Sequence, residues 1–267
     1  VKPDFTLPMI GDADRIHLAA HRADQSPYEG MNLTTDPVDL NEIRGFFATM
    51  AKLTGRDDFA YFASGRVQGR PPKQLCFSMP DPGFYVFRTG WQERDSYFLV
   101  TGTQVERGSN AAHSHADAGH LELHVEGEDV LIDTGRYLYG NCSLLDWWRH
   151  FRSTRAHNTV EVDRRDMGFV PDTSPEIRGL RTFCHRFETS AQLDVVELSH
   201  NGYTFLTEPV FHLRRVIFVK PGLWLVDDVL TGLGEHEYRL CFNFAPGRLD
   251  AVDGEPATVR RRGFLDP

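Results

Sequence analysis

Histidine and carboxylate side chains that could bind a metal ion are concentrated between residues 110 and 163. His115 precedes two short runs of apolar residues, Asp133 directly follows them, and His157 lies further along the chain. The two runs predict a β-hairpin, which would bring the segment before its first strand beside the segment after its second. Imidazole and carboxylate ligands suit Zn²⁺, whereas Ca²⁺ binds mostly oxygen atoms. The spacing therefore predicts a zinc site formed by His115, Asp133 and His157.

The numbers of histidines and cysteines limit this interpretation. The chain has 12 histidines, so some clustering arises by chance, and the alternative is that these are ordinary residues of loops or of the surface. The four cysteines lie far apart and form no Cys-x-x-Cys pair, which argues against a zinc site built from thiolates. Their apolar neighbours favour buried free thiols over disulfide bonds.

The elements that would position this cluster are mainly β-strands. From Gly83 onward, apolar and polar residues alternate with a period of two, most clearly over residues 121–126, 159–163 and 211–219. Asn201-Gly202 and Pro221-Gly222 are typical of turns between such runs. Because no run of helix-length periodicity separates these strands, the pattern predicts a large antiparallel β-sandwich over residues 73–267.

The first 72 residues have a different, helical pattern. A helix is predicted from Asp36 to Gly55, with Leu40, Ile43, Phe47 and Met50 on its apolar face, and a shorter helix over residues 59–65. Two helices with one apolar stripe each cannot enclose a core. We therefore expect residues 1–72 to be the remnant of a larger helical domain, with this apolar face partly exposed.

Charge and hydropathy exclude some classes of protein. The formal net charge of −9 makes nucleic acid an unfavourable partner, and no apolar run approaches the length of a membrane span. The first residues contain neither an initiator methionine nor a signal peptide, so we expect the chain to be cut from a longer one at both ends. The sequence does not indicate an oligomeric state.

Three blocks of sequence, found in order, resemble the heparinase II/III-like family of polysaccharide lyases. They are His-Ser-His-Ala-Asp at 113–117, Val-Leu-Ile-Asp-Thr-Gly-Arg-Tyr-Leu-Tyr at 130–139, and Phe-Arg-Ser-Thr-Arg-Ala-His-Asn-Thr-Val-Glu-Val-Asp at 151–163. The resemblance implies that the helices are the tail of an (α/α) toroid that precedes the sandwich. It also implies a periplasmic or secreted location.

The chemistry implied by the resemblance is β-elimination on an anionic polysaccharide or oligosaccharide that contains uronic acid, such as alginate or a glycosaminoglycan. The sugar carboxylate is neutralised, a base removes the C5 proton, and an acid protonates the departing O4. Carried over to this sequence, His113 would transfer a proton or neutralise the carboxylate. His115, Asp133 and His157 would bind a zinc ion that organises the site.

A tyrosine of the sandwich is also expected to be catalytic, and Tyr139 and Tyr137 compete for this role. We favour Tyr139 because Gly140-Asn141 follows it and places it nearer a loop tip, although either ring could instead pack beneath the loop. Further candidates for substrate binding are Asn110, Arg136, Tyr137 and Arg149. The two arginines could bind sugar carboxylates with two hydrogen bonds each, and a solvated loop charge is the alternative for both. Trp147 and Trp148 are expected to lie in a strand with at least one ring in the core.

Two classes of function remain open. The first is a zinc-containing polysaccharide lyase. The present chain would form only one wall of its substrate cleft, so we expect the chain alone to be inactive. The second is a carbohydrate-binding or scaffold β-sandwich in which the metal is structural. A zinc hydrolase is a weaker third possibility.

Overall fold

The computed structural model describes residues 1–6, 8, 40–105, 113–135, 145–168, 179–252 and 258–262. Its α-helices are α1 (Leu40–Thr54), α2 (Asp57–Ala63) and α3 (Leu145–Arg152), and a 3₁₀ turn covers Thr154–Ala156. Its strands are β1 (Phe77–Met79), β2 (Phe84–Arg88), β3 (Tyr97–Thr101), β4 (Leu121–Val125), β5 (Glu128–Leu131), β6 (Val160–Val162), β7 (Thr182–Thr189), β8 (Leu193–Tyr203), β9 (Val210–Val219), β10 (Leu223–Gly232), β11 (Tyr238–Leu240), β12 (Arg248–Val252) and β13 (Thr258–Arg262).

Strands β1 to β5 form one antiparallel sheet in chain order. The sequence prediction of a hairpin between the first two putative ligands is confirmed, since β4 pairs with β5 and Val125 lies opposite Glu128. Glu126 and Gly127 between them have φ values of 53° and 91°. Two central residues with positive φ give the tight turn whose twist matches that of the strands.

The second large sheet has the strand order β10-β9-β8-β7, and its inner face packs against the first sheet. The shared core joins aromatic and aliphatic side chains of both sheets: Tyr85, Phe87, Phe98, Val100 and Leu121 from the first, and Val196, Leu198 and Val216 from the second. Alternate residues of each strand enter this layer, as the period of two requires. The predicted fold class, mainly β with a large antiparallel sandwich preceded by helices, is confirmed.

The helical segment differs from its prediction in one respect. Ile43 and Phe47 of α1 are buried, because Tyr61 and Phe62 of α2 and Phe5 of the first segment cover them. The expectation that this face would be exposed is wrong for these two residues. Among the described side chains of α1, the large apolar ones that are exposed are Phe46 and Leu53, at 52% and 75%.

Three local predictions also need correction. Asn201-Gly202 lies inside β8 rather than in a turn, at a register shift, and a Cβ on Gly202 would come within 2.6 Å of the Cβ of Met167. Glycine is therefore required there by close packing. Trp147 and Trp148 belong to helix α3 and not to a strand. Cys184 is an exposed free thiol rather than a buried one. The turn at Pro221-Gly222, between β9 and β10, is confirmed.

None of the helices in the described parts of the chain is both long enough and apolar enough to span a membrane.

Candidate metal centre

The structure brings the three predicted metal ligands together. His115 lies before β4, Asp133 lies after β5, and His157 follows the 3₁₀ turn. One ligand atom from each residue lies within 4.8 Å of the ligand atoms of the other two. All three side chains are buried, with 0%, 5% and 0% of their surfaces exposed. The hairpin therefore supplies two sides of a closed polar cluster, and the segment before β6 supplies the third.

Asp133 lies at the centre of this cluster. Its Oδ1 accepts a hydrogen bond of 2.6 Å from the backbone N–H of Gly135, and its Oδ2 lies 3.1 Å from Nδ1 of His157. Burial alone would raise the pKa of Asp133, but the electrostatic influence of the neighbouring His157 and His120 rings outweighs burial and holds this pKa at about 2. Burial alone would lower the pKa of His157, but the nearby carboxylate of Asp133 outweighs burial and raises this pKa above its usual value. The carboxylate is thus ionised at neutral pH and available as a ligand.

The donor atoms fit a zinc ion. Two imidazole nitrogens and one carboxylate oxygen are the kinds of ligand atom that zinc binds, and they leave one position of a tetrahedron open. Among the described residues, Nε2 of His157 is buried and has no hydrogen-bond partner. An unpaired buried nitrogen costs about 1–3 kcal/mol. Binding of a cation within the cluster would compensate for that cost.

His120 is a third buried histidine of this cluster, which the sequence analysis did not single out. Its Nδ1 accepts a hydrogen bond of 3.0 Å from the backbone N–H of Asn158. The neutral ring must therefore carry its proton on Nε2, which lies 3.3 Å from Oδ2 of Asp133. Because burial lowers the pKa of His120 to about 4, the ring is neutral at pH 7. Among the described residues, Nε2 of His120 has no hydrogen-bond partner. His120 is not one of the three residues whose ligand atoms lie within 4.8 Å of one another, so we place it beside the metal ligands and not among them.

Asn158 holds the two strands of the hairpin beside the cluster. Its side-chain amide donates hydrogen bonds of 2.7 Å to the carbonyl of Leu121 and of 3.0 Å to that of Ile132. These carbonyls flank the segments that carry His120 and Asp133. The only sequence signal for His120 and Asn158 was their proximity to the predicted ligands.

The other predicted site residues lie outside the cluster or outside the described residues. His113 is exposed and lies two residues before the buried His115. Arg149 is exposed on α3, where Trp147 is 52% exposed and the guanidinium of Arg152 lies 4.4 Å from the ring of Trp148. Four of the predicted residues fall where the structure gives no description: Asn110, Arg136, Tyr137 and Tyr139.

A second group with metal-binding side chains occurs in the described parts of the chain, formed by Asp4, His124 and Asp129. The ammonium of Lys2 lies 2.5 Å from Oδ1 of Asp129, and Nδ1 of His124 lies 2.9 Å from the same oxygen. The side-chain ammonium group of Lys2 already neutralises the carboxylate of Asp129. The second group is therefore a poorer metal site than the first.

Among known families, the model described as heparinase II/III-like, C-terminal, matches residues 71–263 of this chain. Among curated proteins, a heparin-sulfate lyase from Pedobacter heparinus is 26% identical over 232 residues, which are 86% of this chain and 29% of that protein. A heparin-sulfate lyase from Bacteroides thetaiotaomicron is 25% identical over 195 residues, 70% of this chain and 25% of that protein. The chain therefore spans less than a third of the length of these relatives.

The fold also matches solved structures. The crystal structure of the heparan sulfate lyase HepC from Pedobacter heparinus superposes with a TM-score of 0.73 at 22% sequence identity. The match covers 94% of this chain and 34% of that chain. At this level of identity the superposition establishes the sandwich and the helices before it as a shared fold.

Proposed function

Since the chain belongs to the heparinase II/III-like family, we propose that it is part of a polysaccharide lyase that cleaves a uronic-acid-containing anionic glycan by β-elimination. Heparin or heparan sulfate is the substrate class we favour over alginate, because the curated relatives are heparin-sulfate lyases. The observation that carries the proposal is the buried cluster of His115, Asp133 and His157, two residues from an exposed histidine.

The exposed position of His113 suits a residue that touches substrate. Elimination requires a group that accepts or donates a proton near neutral pH, and imidazole is the side chain that does both. His115, on the same segment, is fully buried and anchors that segment. Anchoring restricts where His113 can lie, which favours reaction because a catalytic group must be held in a defined orientation.

His115, Asp133 and His157 are the residues that would hold a zinc ion. A bound ion would supply positive charge and tie three segments of the sandwich together. His120 and Asn158 would orient this set from behind, as outer partners do in metal sites. Because the ligands are buried, their primary role is to organise the loop that presents His113.

We propose that Arg149 and the undescribed residues Asn110, Arg136, Tyr137 and Tyr139 contribute to substrate binding, with Tyr139 as the tyrosine that shares in proton transfer. Arginine suits a uronate or sulfate because its guanidinium can donate two parallel hydrogen bonds. A periplasmic or secreted location would give such an enzyme access to its polysaccharide.

The test is a lyase assay that follows the ultraviolet absorbance of the unsaturated sugar formed by elimination. The 267-residue chain and a full-length protein that contains it are incubated with heparan sulfate, heparin and alginate. We expect turnover on a sulfated glycan by the full-length protein and little or none by the shorter chain. Cleavage of all three glycans without formation of the unsaturated sugar would indicate a hydrolase and contradict the proposal.

His113→Ala in the full-length protein is expected to reduce turnover by about 10²–10⁴-fold, the usual contribution of a proton-transfer group, and to leave the zinc content unchanged. His185→Ala is the matched control, because His185 is also exposed but lies on β7 and contacts Ser199. Glycan binding without turnover in the unmodified full-length protein would support the alternative, a binding or scaffold sandwich with a structural metal. The burial of all three ligands is the observation that favours this alternative.

A further inference from the structure

We propose that Arg214, held in place by Asp228, is a positioning residue for the metal centre: its guanidinium fixes the two backbone segments that carry His120 and His157. The zinc-binding part of this inference rests on the function proposed above. The geometric part rests only on contacts within the sandwich.

Arg214 and Asp228 form a buried, bidentate ion pair across two strands. They lie directly opposite each other on β9 and β10. Nε and Nη2 of Arg214 donate hydrogen bonds of 2.7 and 2.9 Å to the two carboxylate oxygens of Asp228. The side chain of Arg214 is 1% exposed and that of Asp228 is 11% exposed. A fork of this kind fixes the plane of the guanidinium.

The remaining nitrogen of Arg214 points away from its own sheet toward the metal centre. Nη1 donates hydrogen bonds of 2.8 Å to the carbonyl oxygen of Gly119 and of 2.6 Å to that of Asn158. Gly119 precedes His120, and Asn158 follows His157. One guanidinium group therefore joins two segments that are far apart in sequence at the place where each presents a histidine to Asp133.

The orientation of Asp228 is set in turn by a pair of buried histidines. The backbone N–H of Gly202 donates to Nδ1 of His200, so the proton of this ring lies on Nε2, which donates to Nδ1 of His212 at 2.9 Å. Nε2 of His212 then donates to Oδ1 of Asp228 at 2.7 Å. Each donor finds an acceptor, and the whole series is held in one arrangement.

Lysine cannot replace Arg214 in this arrangement. Its ammonium keeps the charge but is a single point, and it cannot bridge a carboxylate and two carbonyl oxygens with the geometry of a planar fork. Arg214→Lys thus tests positioning without removing charge. The matched control is Arg215→Lys, because Arg215 is the next residue of β9 and also pairs with two carboxylates, those of Glu197 and Asp227, on the partly exposed face.

The first measurement is the zinc dissociation constant, obtained by competition with a chromogenic chelator. We expect Arg214→Lys to weaken zinc binding by about 10–100-fold, as the loss of outer partners does in metal sites, and Arg215→Lys to change it by less than about twofold. Circular dichroism on the same samples checks that both variants are folded. A folded Arg214→Lys variant that binds zinc as tightly as the unmodified protein would overturn the proposal.

The second measurement does not depend on metal. Nitrogen-15 spectra of the histidine rings in chelator-treated protein report which nitrogen carries the proton. We expect His120 to give the signals of the Nε2–H form in the unmodified protein and in Arg215→Lys, and to lose this single form in Arg214→Lys. Unchanged His120 signals in Arg214→Lys would contradict the positioning role.

The two measurements separate failure of this inference from failure of the proposed function. If the unmodified protein binds no zinc, the metal part of the proposed function is wrong, and the histidine spectra alone decide the role of Arg214. If Arg214→Lys does not fold, Asp228→Asn takes its place, because it keeps the shape of the carboxylate and weakens the fork. Zinc affinity and His120 signals that both stay unchanged in a folded Asp228→Asn variant would then overturn the proposal.

Discussion

The sandwich contains two buried clusters of histidines, and they differ in how their ring nitrogens are satisfied. In the cluster of His200 and His212, all four ring nitrogens have hydrogen-bond partners, ending at Asp228. In the cluster around Asp133, Nε2 of His157 is buried and lacks such a partner among the described residues. Both clusters are shielded from solvent, so exposure does not explain the difference.

This contrast separates a network whose hydrogen bonds are complete within the protein from one with an unpaired nitrogen, where we propose that a cation binds. Buried polar groups are almost always hydrogen-bonded, and a lasting exception calls for a physical reason. The His200 cluster can stabilise the sandwich without any added group. In the Asp133 cluster, a bound cation would satisfy Nε2 of His157. Arg214 connects them, because it contacts Asp228 in one and the backbone beside His120 and His157 in the other.

The largest expected effect comes from removing one histidine from each cluster. His157→Ala is expected to weaken zinc binding by more than about 100-fold, since loss of a ligand should exceed the 10–100-fold cost of losing an outer partner. His212→Ala is expected to retain about one equivalent of zinc and to lose about 1–3 kcal/mol of stability, because His200 and Asp228 lose a partner. Elemental analysis and urea unfolding measure the two quantities. Equal zinc loss in both variants would remove the distinction between the clusters.

The dependence of stability on pH is expected to be the next largest effect. Burial lowers the pKa of His120 to about 4, against the opposing influence of Asp133, and burial also lowers the pKa of His200 well below its usual value. A histidine whose pKa is lowered in the folded state binds protons more readily in the unfolded chain. Its contribution to the free energy of unfolding is therefore complete above about pH 6.5 and is lost as the pH falls toward about 4. For His120 the loss is about 3 kcal/mol.

Urea unfolding of chelator-treated protein between pH 7 and pH 4 measures this dependence. His120→Gln is expected to flatten part of the slope in this range. Asp133, whose pKa is lowered to about 2, contributes stability above about pH 4 that is lost only as the pH falls from there toward 2. A slope in His120→Gln as steep as in the unmodified protein would show that His120 is not the buried neutral ring described here.

The sequence predicted the proximity of His115, Asp133 and His157 better than it predicted the surroundings of these residues. His115 and Asp133 bracket one hairpin, and pairing across a hairpin is local, so their proximity follows from the alternation of residues 121–126 and the turn after it. Gly55 likewise ends α1 with a φ of 67°, as its position in the sequence predicted.

The contribution of Arg214 could not be predicted in the same way. Its contacts with Gly119 and Asn158 span 95 and 56 residues, and no spacing rule brings β9 onto the β4–β5 hairpin. Trp147 and Trp148 were expected in a strand, whereas the local sequence forms the eight-residue helix α3. Contacts within one hairpin could therefore be predicted from the sequence, whereas long-range contacts that depend on how two sheets stack could not.

The smallest expected effect distinguishes the exposed from the buried histidine of the His-Ser-His segment. His113→Ala is expected to change the free energy of unfolding by less than about 0.5 kcal/mol, because its side chain is exposed. His115→Ala removes a fully buried side chain and is expected to cost more than about 1 kcal/mol in the zinc-loaded protein. Urea unfolding with excess zinc measures both. A larger effect for His113→Ala would place His113, and not only His115, in the folded core of the site.

X-ray diffraction data collected above and below the zinc absorption edge, from crystals of zinc-loaded protein, test the central claim most directly. We expect one anomalous peak about 2.0–2.2 Å from a ligand atom of each of His115, Asp133 and His157, with His120 outside that distance. A peak at Asp4, His124 and Asp129 instead, or no peak at either group, would contradict the assignment of the Asp133 cluster as the metal centre.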